Sequence, residues 1–293
     1  MTIFTTLKFI INHPLNRANK ITALLRFIFW QINIRLNKYP IIYNYTEKSR
    51  LIIDKGMTGA TGNYYCGLHE FEDMSFLLHF LRKEDLFIDI GANIGSYTVL
   101  SSAHVGSETI CFEPHPLTYQ RLMDNIRINN ITEKVTPYNE GLGNSNANLF
   151  FTDKLDTANH ISKKENNDTI KVTVTKLDDK KLILNKISLL KMDVEGYEKY
   201  VIEGGLSIFK NENLKAMIVE LNNASEKYGY NSAELHNIIL ELGFTPFSYD
   251  PFKRSLIQLD FPSNYNTIYI RDINFVSDRI QKAEKIKIFN KIY

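Results

Sequence analysis

Two cysteines, Cys66 and Cys111, are all that the 293 residues carry, which excludes a disulfide framework and a cysteine-rich zinc site. Their sparseness fits a reducing cytoplasm, with both thiols serving as small buried hydrophobes. Long apolar runs are missing too. No stretch reaches 18 uncharged apolar residues, so the chain is not expected to span a bilayer. A secretory leader is not expected either, because Pro14, Asn16, Arg17 and Lys20 interrupt any apolar core and no small-residue cleavage site follows. Acidic side chains are absent from residues 1–46, which hold six basic ones: Lys8, Arg17, Lys20, Arg26, Arg35 and Lys38. The remainder carries 29 basic against 33 acidic groups. A mildly acidic body therefore bears a basic N-terminus, and nucleic acid is not the expected partner. Internal repeats and low-complexity tracts are also lacking.

What is present describes an ordinary soluble globular protein, 44% apolar and 23% charged. Residues 1–59 read as a basic extension. Within it, 18–36 form a helical pattern with Ile21, Leu24, Leu25, Ile28, Ile32 and Leu36 on one face. That face can pack on the body or on a second subunit, making a homo-oligomer, or rest peripherally on an anionic membrane surface. Residues 41–45 and 50–53 read as a hairpin, followed by a glycine-rich loop from Gly56 to Gly67 and a short helix over 74–82. From Leu86 onward strands and helices alternate. Strands are expected at 86–90, 109–112, 135–139, 187–192, 216–221, 245–249 and 267–270, and helices after Pro114 and over 197–209 and 232–242. Two short β runs bracket a polar insert, 153–170, and a lysine-rich tail fills 276–293. Such alternation predicts a doubly wound α/β sheet.

Ligands of an open parallel sheet bind beyond the carboxyl ends of its strands, and here every such end is polar or glycine-bearing. The stretch FIDIGANIG (87–95) brings Asp89, Gly91, Asn93 and Gly95 to the first end. Asn93 and Ser96 break the dinucleotide pattern of glycines there. Glu113, 22 residues beyond Gly91, stands where a carboxylate accepts hydrogen bonds from ribose hydroxyls, or caps the next helix. Asn139, Gly141 and Leu142 follow the third strand, and Glu220 closes the fifth. Asp193 and Glu195, two apart and roughly 7 Å from each other if on a strand, can hold a cationic cofactor, take a proton, bind a divalent metal or cap the following helix.

FIDIGANIG, CFEP, NEGLGN and above all LLKMDVEGYE resemble the FkbM-type family of S-adenosylmethionine-dependent methyltransferases, over roughly residues 60–275. GLHEFEDM and DTANH (156–160) resemble one of its branches. The resemblance implies the class I methyltransferase fold, a seven-stranded Rossmann-like sheet whose last strand, 267–270, runs antiparallel. It implies that Asp89, Gly91, Asn93 and Gly95 line the methionine part of the cofactor, that Glu113 holds the ribose, and that Asn139–Leu142 pass near the adenine. Our own inference from the residues makes Asp193 the first candidate for proton acceptor and Glu195 the second. His69, Glu70, His160 and Glu220 are the acceptor-side candidates, with the GLHEF loop and the polar insert as walls of the acceptor pocket.

The expected activity is methylation of a sugar hydroxyl in a glycan or glycolipid precursor, with no metal demanded. Methylation of nitrogen or of a small metabolite on the same fold is the alternative, as is a non-catalytic binding or assembly module.

Overall fold

The computed structural model describes residues 3–36, 40–155, 158–162, 164–263 and 265–293. Helices α1 (Ile3–Asn12) and α2 (Lys20–Leu36) precede the hairpin β1 (Ile41–Thr46) and β2 (Ser49–Ile53). Next come α3 (Thr58–Cys66), α4 (Phe71–Phe80), β3 (Leu86–Ile90), α5 (Ser96–Val99), β4 (Glu108–Phe112), α6 (Pro116–Ile128) and β5 (Val135–Tyr138). A small sheet holds β6 (Gly141–Leu142), β7 (Ala147–Thr152), β8 (Ile161–Ser162) and β9 (Thr169–Thr175). The chain returns through β10 (Ile187–Met192), α7 (Glu198–Glu203), α8 (Leu206–Phe209), β11 (Ala216–Glu220) and α9 (Ser232–Glu241). Last are β12 (Thr245–Asp250), β13 (Ser255–Gln258), β14 (Asn266–Ile270), α10 (Ile273–Gln281) and a hairpin of β15 (Lys287–Ile288) and β16 (Lys291–Ile292).

The main sheet has the order β13-β12-β14-β11-β10-β3-β4-β5. Strands β5, β4, β3, β10 and β11 are parallel, and β14 runs antiparallel between β11 and β12. This is the class I methyltransferase sheet of seven strands, with the antiparallel strand at the expected residues. One strand more, β13, extends the edge as a hairpin partner of β12.

Strands β3 and β10 are buried along their whole length, so they read as continuous apolar runs rather than alternating ones. Phe87 and Leu189 join one core with Phe76, Leu122 and Val276, while Ile88 and Leu190 join the other with Val201, Phe209 and Ile239. Each such side chain contributes roughly 1.5–3 kcal/mol of transfer free energy. The N-terminal hairpin is stitched to this body: the backbone N–H groups of Arg50 and Ile52 donate to Asn129 Oδ1 and Asn125 Oδ1, both at 2.8 Å.

Several local expectations change. The glycine-rich stretch 56–67 is not a loop but contains α3, where Gly62 is required because a Cβ would lie 2.3 Å from His69 Nδ1. The helix expected over 197–209 breaks into α7 and α8 at Gly204–Gly205, since Gly204 packs against the carbonyl oxygen of Gly143, 1.9 Å from where a Cβ would sit. The lysine-rich tail, 276–293, packs on the body. Tyr293 is buried with its hydroxyl 3.0 Å from Ser75 Oγ, and Lys291 Nζ donates to the Pro14 carbonyl at 2.8 Å. Helix α2 buries Ala23 and Trp30, so the apolar face read from the sequence is turned mostly to solvent.

Candidate active site

Beyond the carboxyl ends of β3, β4, β10 and β11 opens a cavity of about 340 Å³. The first strand end shapes it. At Gly91 the chain turns with φ 78°, and a Cβ there would stand 1.9 Å from the Asp193 carbonyl oxygen. Only glycine lets the two strand ends approach so closely. The Asp193 N–H donates to the Ile90 carbonyl at 3.1 Å, closing the pair. Asn93 also adopts a left-handed conformation (φ 52°), which turns its backbone N–H onto Glu113 Oε2 at 2.9 Å. The His115 N–H donates to Glu113 Oε1, again at 2.9 Å. Two backbone amides thus fix Glu113 at the end of β4, while burial pushes its carboxyl up to about 7.

Asp89 is almost fully buried. Its Oδ2 accepts from Thr98 Oγ1 at 2.7 Å, and its Oδ1, on a side chain that lines the cavity, has no partner among the described residues. Burial raises its pKa. An orphaned carboxylate oxygen in such a place fits a cationic ligand group, since a buried unpaired acceptor is costly. Gly141 and Leu142 complete this wall. Asn139 does not line it. Its amide donates instead to the carbonyl oxygens of Glu113 (2.9 Å) and Pro114 (3.1 Å), holding the loop that carries Glu113.

Next to this wall, at the end of the neighbouring strand β10, carboxylates gather around one lysine. Strand β10 ends at Met192, so Asp193 and Glu195 do not share a strand face as the spacing suggests. Glu195 takes a left-handed backbone (φ 53°) followed by Gly196 (φ 95°), and this turn brings the acids together. One carboxylate oxygen from each of Asp193, Glu195 and Glu220 lies within 4.8 Å of the others, a spacing open to a cationic group or a metal ion. Lys191, buried mid-strand, donates to Asp193 Oδ2 at 3.0 Å and stands 4.9 Å from the centre of the Tyr97 ring. Burial opposes the charge of Lys191, but Asp193, Glu70 and Asp89 outweigh it and raise its pKa. Burial first, then Asp193, pushes Glu195 up to about 7; the same two causes, with Glu195 added, push Glu220 up to about 9.

Glu70 and His69, from the segment between α3 and α4, also line the cavity. Glu70 Oε2 accepts from the Tyr97 hydroxyl at 2.6 Å. The His69 ring packs on Phe9 at 5.0 Å with its Nδ1 unpartnered among the described residues, and burial lowers its pKa. His160 is not on the wall. Its Nδ1 lies 2.9 Å from the Ala158 carbonyl oxygen, and the neighbouring Asn159 and Ile161 line the cavity instead. Asp156 and Thr157 of the DTANH segment fall outside the described residues.

Sequence reasoning overlooked Lys191, Tyr97 and His115. For Lys191 a signal existed, because a lysine inside ISLLKM breaks an otherwise apolar buried strand. His115, whose Nε2 is 2.8 Å from Asp153 Oδ1, and Tyr97 carried none. The N-terminal segment also supplies wall, through Thr58, Ala60 and Asn63 of α3.

The family model for the methyltransferase FkbM domain matches residues 89–246. Hexuronic acid methyltransferase AglP of Haloferax volcanii is 27% identical over 157 residues, covering 52% of this chain and 62% of that protein. Methyltransferase 1 of Beauveria bassiana is 30% identical over 146 residues, covering 41% of this chain and 58% of that protein. The matched stretch therefore spans about three fifths of the length of these curated relatives. A solved structure, methyltransferase FkbM from Methylobacillus flagellatus KT, aligns with a TM-score of 0.46 at 16% identity, over 71% of this chain and 52% of that one.

Proposed function

This chain belongs to the FkbM family of methyltransferases, whose methyl donor is S-adenosylmethionine, and from that premise we propose that it methylates a hydroxyl of a saccharide. One observation carries the reading: three converging carboxylates, Asp193, Glu195 and Glu220, line the same cavity as Asp89 and Glu113. The likeness to a hexuronic acid methyltransferase supports a sugar as acceptor. Cys66 and Cys111, both free and buried, support a cytoplasmic site of action.

The residues fit the cofactor. Glu113 offers carboxylate lone pairs to ribose hydroxyls, and Asp89 offers its unpaired Oδ1 to a cationic group. When bound, S-adenosylmethionine supplies a sulfonium methyl that an oxygen nucleophile takes by in-line displacement. Positioning then accounts for most of the rate. Lys191 pins Asp193, which makes Asp193 an anchor of the wall rather than its freest base. Glu195, with a carboxyl at about 7, is balanced to accept the hydroxyl proton near neutrality, and a base so placed contributes about 10²–10⁴-fold. Burial and the neighbouring Asp193 and Glu195 favour the protonated form of Glu220 at that pH.

The excess of carboxylates over lysine also suits an amine, so N-methylation is the second reading. Incubation with methyl-labelled cofactor and a panel of uronic-acid, neutral-hexose and amino-sugar oligosaccharides, plus small phenols and amines, separates the two. The expected product is a base-stable O-methyl saccharide. Label on nitrogen alone, or on small phenols alone, would overturn the sugar-hydroxyl reading.

A further inference from the structure

Helix α2 is apolar on two sides. Its inner side packs on the body: Trp30 meets Tyr64 at 5.7 Å, and Arg26 Nε and Nη2 donate to the Tyr65 carbonyl at 3.1 and 2.8 Å. Its outer side carries Ile21, Leu25, Ile28, Phe29, Ile32 and Leu36, spaced as one helical stripe and between 44% and 77% exposed. A helix with a second, uncovered apolar stripe has a further surface to meet. Ile3 and Phe4 of α1 are exposed as well, at 72% and 78%.

Charge decides what that surface is. Lys20 and Arg35 are exposed on α2 itself, Lys8 and Arg17 are exposed in the segment before it, and no acid occurs before Glu47. A second copy docking about a two-fold axis would bring two such basic sets together with no acid on either helix to offset them. An anionic lipid surface offsets them at once while its acyl boundary takes the stripe. The helix is 17 residues, about 25 Å long, and among the described residues no helix is long and apolar enough to cross a membrane. A helix of this kind lies in the interface.

We propose that the outer stripe of α2, with its basic flanks, docks this protein on an anionic bilayer surface. Since α2 packs on α3, and α3 walls the cavity with Thr58, Ala60 and Asn63, docking holds the active site one helix away from the lipid. The stripe lies outside the cavity, so the test needs no acceptor and its outcome is independent of the sugar reading.

The full chain is co-sedimented with vesicles of equal phosphatidylglycerol and phosphatidylcholine, and with phosphatidylcholine alone. Binding is expected only to the anionic vesicles, falling as salt rises from 50 to 500 mM. The double variant Ile28→Ser/Phe29→Ser, and separately Lys20→Glu/Arg35→Glu, should each lose at least tenfold in partitioning while keeping the wild-type thermal melt and cofactor affinity. Absence of binding to anionic vesicles at low salt overturns the proposal. So does equal binding by the variants, or a wild-type dimer that Ile28→Ser/Phe29→Ser turns to monomer without any vesicle binding.

Discussion

At the scale of single residues, the acids at the end of β10 divide their work by partner rather than by type. Asp193 is tied to Lys191 at 3.0 Å, whereas Glu195 has Lys227 and Asn222 to moderate it and sits with a carboxyl of about 7. Below about pH 7 that carboxyl holds its proton and cannot accept another; above it the base is free. The rate of methyl transfer should therefore rise with pH through about 7. Glu195→Gln should remove that limb and lower turnover by about 10²–10⁴-fold, with the affinity for S-adenosylhomocysteine unchanged. Initial rates across pH 6–9 beside calorimetric titration check both halves. A variant that loses cofactor affinity instead places Glu195 in the cofactor shell.

Among the elements, the turn after β3 is where local chain geometry and long-range packing meet. Gly91 needs its left-handed φ for the turn and its missing Cβ for the Asp193 carbonyl, two independent demands on one position. Gly91→Ala should cost about 2–3 kcal/mol and lower the melting temperature by roughly 3–5 °C. Gly229→Ala, at a similar φ of 91° but with open space around it, should cost only the backbone part. Differential scanning calorimetry of the pair separates strain from collision. The strands and their glycine ends were legible in the sequence because buried parallel strands read as apolar runs. The break at Gly204–Gly205 was not, because it answers to a carbonyl 61 residues earlier, that of Gly143.

Considered as a whole molecule, the protein gathers an excess of carboxylates into one cavity. Burial raises Glu113 and Glu195 to about 7 and Glu220 to about 9. As pH rises from 6 to 8 the first two ionise and add negative charge to the cavity, which a sulfonium feels across it and a thioether does not. The affinity for S-adenosylmethionine should grow by about threefold or more over that range, and that for S-adenosylhomocysteine by less. Isothermal titration of both ligands at pH 6, 7 and 8 measures the difference; parallel curves would remove the electrostatic account.

From the sequence alone came the α/β alternation, the glycine turn at 91–95, Glu113 at its distance, and the basic, acid-free N-terminus. Each rests on near neighbours in the chain, where periodicity and turn chemistry act. Tertiary structure alone decided that Asn139 braces a loop, that His160 stands off the wall while Lys191 and Tyr97 stand in it, and that α2 turns its apolar stripe outward. Those outcomes depend on which surfaces remain once the sheet has closed on its helices, and no spacing within a single element encodes that.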